Sequence, residues 1–105
     1  MAGEAVLVVS AEVLPGKEEE FNRWCDEHHI PVYSGKMPFV KSIRRFYSKR
    51  GNPQFITLYE FDSFDDLKKS TASEEAQQAK LDADSQVGQL VKTFVYNSYS
   101  QIYPK

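Results

Sequence analysis

One cysteine, Cys25, stands in the 105 residues, so no internal disulfide can staple the chain. A lone thiol suits a reducing compartment. Charge of one sign is also scarce, with a net charge of −2. That leaves no basic footprint for nucleic acid. Long hydrophobic runs are missing too. The apolar stretch at residues 5–9 is too short for a transmembrane helix or a signal peptide, and no basic segment precedes it. The expectation is a cytoplasmic protein with neither membrane nor nucleic acid as partner. The two histidines, His28 and His29, are adjacent. Helical zinc sites need i, i+4 spacing, and no Cys/His cluster lies elsewhere, so no metal is expected. No Gly-rich phosphate loop, P-loop or nucleophile elbow occurs, and no cofactor is expected.

What is present is a well-mixed globular composition, 41% apolar and 13% aromatic. At this length one domain, residues 1–105, with a single core is expected. Residues 5–14 are dense in β-branched side chains and read as a strand, stopped by Pro15-Gly16. Residues 17–29 read as a helix. Phe21, Trp24, Cys25 and His28 form one stripe at i, i+3, i+4 and i+7, and Pro31 should end it. Residues 39–48 alternate, with Phe39, Lys41, Ile43, Arg45 and Tyr47 on one face. The turn signal Lys49-Arg50-Gly51-Asn52-Pro53 joins them to residues 54–61, where Phe55, Thr57, Tyr59 and Phe61 share a face. Ser63-Phe64-Asp65-Asp66 resembles a capping box and should start a second helix, with Thr71-Ala72-Ser73 as a breaking point. Residues 82–91 are ambiguous between helix and irregular chain. Residues 93–103, rich in Tyr, Phe and Val, read as the last strand.

The order β-α-β-β-α-β predicts a ferredoxin-like α+β fold, an antiparallel sheet with two helices on one face. Several strands carry apolar side chains on both faces, and two helices cover one. A second copy is the simplest cover for the other face, which predicts a homodimer, a dimeric α+β barrel with a pocket between its sheets.

Residues 21–31, Phe-Asn-Arg-Trp-Cys-Asp-Glu-His-His-Ile-Pro, resemble the first helix of dimeric α+β barrel proteins, commonly F-N-x-W-Y-x-E-x-H-I-P. Residues 39–46 are similar to the strand G-F-x-x-A-R-R-Y of that superfamily, and residues 53–61 to P-x-Y-L-x-x-Y-E-L. The resemblance extends over about residues 7–70 and is weak in the last strand. It includes EthD-like proteins and antibiotic-biosynthesis-type cofactor-free monooxygenases, besides polyketide cyclases and lactone isomerases. Cys25 and His28 stand where that pattern commonly has an aromatic residue and an acid, and Met37-Pro38-Phe39 replaces Pro-Gly-Phe.

The resemblance implies that His29 points into a cleft under the sheet, where an imidazole can move a proton near neutral pH as general acid or base. The plain alternative is a helix-end histidine bonded to a free carbonyl. His28, on the apolar stripe, is a substrate-binding candidate or a core residue. Arg44 and Arg45 point to opposite faces of one strand, and one of them could hold an anion bidentately. The alternative is a charged edge that discourages strand pairing. Tyr47 and Tyr59 could steer a ring or an oxyanion, as could Tyr96 and Tyr99, although aromatic residues in a small sheet more often fill the core or an interface. Trp24 lies at helical spacing with Phe21, a core position, and the monooxygenase resemblance implies a part for a Trp in oxygen chemistry. Cys25, within the stripe and next to Asp26, reads as an inert thiol.

Three functions stay open. The first is a cofactor-free enzyme acting on a small aromatic or polyketide-like molecule, with His29 as acid/base. The second is a binding module with the same pocket and no turnover. The third is a structural or stress-related dimer. Fold does not choose among them.

Overall fold

The computed structural model describes residues 4–104. Its frame is a four-stranded antiparallel sheet of order β2-β3-β1-β4. β1 (Ala5–Val13) is central, paired with β3 (Phe55–Phe61) on one side and β4 (Val91–Ser100) on the other, and β2 (Ser42–Tyr47) forms a hairpin with β3. Three α-helices, α1 (Glu18–Trp24), α2 (Phe64–Thr71) and α3 (Glu74–Gln86), are connected through this sheet. The result is the expected ferredoxin-like α+β fold, with one helix more than the two expected.

The extra helix is a matter of capping. Ser63 Oγ accepts the backbone N–H of Asp66 at 3.1 Å and starts α2. Ser73 Oγ accepts that of Ala76 at 3.1 Å and starts α3. Each cap satisfies one of the donors that a helix start leaves free. The chain breaks between them at Ala72 and Ser73, inside the breaking point read from the sequence. The ambiguous residues 82–91 divide into the end of α3, a short 3₁₀ turn at Val87–Gln89 and the start of β4.

Two boundaries differ from expectation. β2 begins at Ser42, because Phe39 takes a φ of 69°, a left-handed conformation that no strand can continue. The first helix does not stop before Pro31. At Cys25 the coil widens from α to π and runs through Pro31 to Tyr33, followed by one 3₁₀ turn at Ser34–Lys36. A π turn bonds i to i+5, so the residue five positions on comes back to the same face. His29 is therefore the residue stacked on Trp24, with ring centroids 4.5 Å apart. His28, expected on the buried stripe, turns outward and is 48% exposed.

The core lies between the helices and one sheet face. Ala5, Leu7, Val9, Ala11 and Val13 of β1 point into it, as do Phe55, Thr57, Tyr59 and Phe61 of β3. Phe21, Trp24 and Cys25 meet them from the helix side, together with Ala83, Val87 and Leu90. The opposite face carries Val6, Val8, Ile56 and Leu58, which are half-buried, beside exposed Phe46, Val95 and Tyr99.

Candidate functional site

A cavity of about 280 Å³ opens between the sheet and its own helices. It lies under the sheet on the helix side, where the resemblance placed a cleft for His29. The physical reason is side-chain size. α3 sets Ala76 and Ala79 over the sheet, and they leave space that a Leu would fill. The floor is Leu7, Val9, Thr57 and Tyr59 with Tyr96 and Phe94 of β4. Trp24, Cys25 and His29 form the wall, and Thr71 and Lys80, both exposed, form the lip.

The polar heart of the wall is a carboxylate shared by two histidines. His29 Nδ1 donates to Asp82 Oδ2 at 2.8 Å, and His28 Nε2 donates to Asp82 Oδ1 at 3.2 Å. The Asp82 side chain is 7% exposed and that of His29 9%. Adjacent histidines reach one carboxylate because the π turn narrows the angle between neighbouring side chains. With Nδ1 committed as a donor, the neutral imidazole presents Nε2 as its basic nitrogen. Burial holds the His29 pKa below its ordinary value of 6.5. The bond and charge of Asp82 push it the other way and only partly offset that. His29 is therefore a neutral base near neutral pH.

Two further groups are fixed at the cavity. Tyr59 donates its hydroxyl to Ser34 Oγ at 2.8 Å, and burial raises its pKa to about 12. Cys25 is pushed up to about 12 by burial, which outweighs the lowering by nearby Arg45. It is a thiol at any physiological pH.

Of the residues singled out in the sequence, the structure brings His29, Trp24, Cys25, Tyr59 and Tyr96 together at the cavity. His28 reaches it only through Asp82. Arg45, Arg44 and Tyr47 lie elsewhere. Arg45 points to the helix side but is taken by Asp26 at 2.8 Å and Asn22 at 2.8 Å. Its guanidinium lies 5.5 Å from the Phe21 ring, on the far side of the wall. Arg44 is on the opposite sheet face, paired with Glu60 at 3.2 Å. Tyr47 is 56% exposed at the sheet edge and packs on Phe55. Asp82 is the residue the sequence reading passed over. Its signal was faint: it lies three residues after Ala79 and beside Ala83, both on the buried stripe of α3. Among the described residues no group of three or more His, Cys, Asp or Glu could hold a metal ion. No helix among them is long and apolar enough to cross a membrane.

No family model matches the chain, and no curated protein matches it in sequence. Solved structures do match. An EthD family protein of Bacillus halodurans superposes with a TM-score of 0.70 at 18% identity, covering 90% of this chain and 96% of that one. A candidate antibiotic biosynthesis monooxygenase of Nitrosomonas europaea gives 0.67 at 16%, covering 100% and 96%. A dimeric protein of unknown function from Bacteroides fragilis, with a ferredoxin-like fold, gives 0.62 at 15%, covering 94% and 97%. The chain thus has the ferredoxin-like α+β fold shared by EthD and antibiotic-biosynthesis-monooxygenase-like proteins.

Proposed function

We propose that the chain is a single-domain, cofactor-free protein in which His29, oriented by Asp82, acts as general base on a small apolar molecule held in the cavity. One observation carries this: a neutral imidazole, fixed through Nδ1 to a buried carboxylate 2.8 Å away, in the wall of an apolar cavity. The carboxylate sets the tautomer and stabilises the imidazolium that proton abstraction would form. Cyclisation, isomerisation and cofactor-free oxygenation each begin with such an abstraction. The fold likeness to an EthD family protein and to a candidate monooxygenase supports this class. Trp24, stacked on His29, would then flank the reacting ring.

A carrier without turnover is the second reading. What favours it is the position of Arg44 and Arg45, both outside the cavity, where they cannot stabilise a developing anion. The working unit would be a homodimer. Val6, Val8, Ile56, Leu58 and Val95 leave an apolar sheet face with no helix over it, and the Bacteroides fragilis protein of the same fold is dimeric. The cytoplasm suits the lone buried thiol.

Native mass spectrometry of gently purified protein tests assembly and occupancy together. A two-subunit mass with a releasable ligand is expected. That ligand, incubated in D₂O, should gain deuterium with wild-type protein and not with His29→Gln. An equal gain with both proteins overturns the base. An unchanged ligand establishes the carrier. A monomer at micromolar concentration overturns the dimer.

A further inference from the structure

We infer that the cavity takes an uncharged ring compound, a phenol or ketone, and turns away carboxylates, phosphates and amines. The inference rests on the cavity being a ligand site, as argued above, and specifies which ligands enter it. The ionisable side chains that line the cavity are Cys25, His29, Tyr59, Tyr96 and Lys80. The thiol and both phenols hold their protons at neutral pH, and His29 is held neutral by burial. Lys80 is the one cation among them, but it sits at the lip with 68% of its side chain exposed, 3.9 Å from Asp84. Arg45 spends its charge on Asp26 behind the wall. A buried negative charge, that of Asp82, lies directly behind His29.

A ligand anion in this space would find only Lys80, exposed at the lip, and Arg45, already paired with Asp26, and it would face a carboxylate through one imidazole. Burying a charge without a partner is costly. A cation would lie against the protonated form that His29 must adopt when it works. A neutral molecule fits on both counts. Besides Trp24 Nε1, buried without a partner on a lining residue, two polar groups are available to it. His29 Nε2 can accept a phenolic or carbonyl-activated proton. Thr57, 8% exposed on the cavity floor, has a hydroxyl with no partner among the described residues and can donate to an oxygen. The remaining lining is mostly aromatic and aliphatic, with Ser34 already bonded to Tyr59. At about 280 Å³ the volume lies near the lower end of ~300–1,000 Å³ small-molecule sites and suits one or two rings.

Three probes of one shape test this: 2-naphthol, 2-naphthoate and 2-naphthylmethylammonium, titrated at neutral pH. The indole N–H resonance of Trp24, the chain's one tryptophan, reports binding at the cavity. The expected result is that naphthol shifts this resonance and binds at least ~10-fold more tightly than either ion, a difference of about 1.4 kcal/mol. Thr57→Val should weaken naphthol several-fold. Naphthoate or the ammonium probe shifting Trp24 at comparable affinity overturns the inference and leaves His29 as base untouched. Failure of all three to shift it overturns both, since the cavity would then hold no ring compound.

Discussion

Replacing Asp82 with Ala removes the acceptor that holds His29 while leaving the sheet and the α3 backbone in place. In the native protein the His29 N–H donates to a carboxylate 2.8 Å away, and both side chains are more than nine-tenths buried. Without Asp82 that N–H is stranded out of water, at a cost of ~1–3 kcal/mol. The His28 bond adds little, because His28 is about half exposed and exposed pairs contribute ~0–1 kcal/mol. The removed carboxylate had its own desolvation cost, which keeps the net loss near ~2 kcal/mol. For a domain of this size the midpoint should fall by roughly 8–12 °C. Urea unfolding followed by Trp24 fluorescence gives the free energy. A histidine NMR titration gives the second readout. Asp82 raises the His29 pKa through its hydrogen bond and its charge, so the variant's His29 should titrate lower than wild type. A variant as stable as wild type, or a His29 pKa that stays or rises, would refute the idea that Asp82 orients and polarises this imidazole.

The same depressed pKa fixes a pH dependence. His29 binds its proton more weakly folded than unfolded, so its stabilising contribution is full above the unfolded value of ~6.5. It declines as pH falls from there through the lower folded value. Urea midpoints should therefore drop on acidification below ~6.5, and less so in His29→Gln; equal slopes would remove His29 as the cause. Gly35 runs so close to the π turn that a Cβ there would lie 2.4 Å from the Ile30 carbonyl oxygen. Gly35→Ala should destabilise by about 1–3 kcal/mol and disturb the neighbouring Ser34–Tyr59 bond, both measurable by urea unfolding and by the Tyr59 ring resonances. An unchanged midpoint would mean the turn yields freely. Cys25, raised to about 12, should resist iodoacetamide in the folded protein and react only on unfolding, because the thiolate is the nucleophile. Mass spectrometry decides, and labelling at the rate of a free thiol would contradict the burial.

Much of the frame was legible because strand and helix periods differ. The alternation Phe55, Thr57, Tyr59, Phe61 placed the inward face of β3 correctly, and Ser63 with Asp66 marked a real cap. The site was less legible for a specific reason. The stripe Phe21, Trp24, Cys25, His28 assumes α geometry throughout, and nothing in the residue types announces that the turn widens at Cys25. One extra residue per turn exchanges His28 for His29 on the buried face. Asp82 was hidden differently. It is one of four acids in α3, and sequence alone does not show which one folds inward under two histidines. The location of the cavity depends on Ala76 and Ala79, whose smallness carries meaning only once the facing strands are known.

The placement of β1 has a consequence for how the chain reaches this state. The central strand is paired along its length with the last one, and the register joins Ala5 to Ser100. Such a ladder closes a loop that spans nearly all of the described residues, and its entropy must be lost before the pairing repays it. The β2–β3 hairpin and the capped helices can form from local contacts. During synthesis β1 waits, with one edge open, for β4 to be made. Folding should thus be slow for a domain this small, and gated by the arrival of β4.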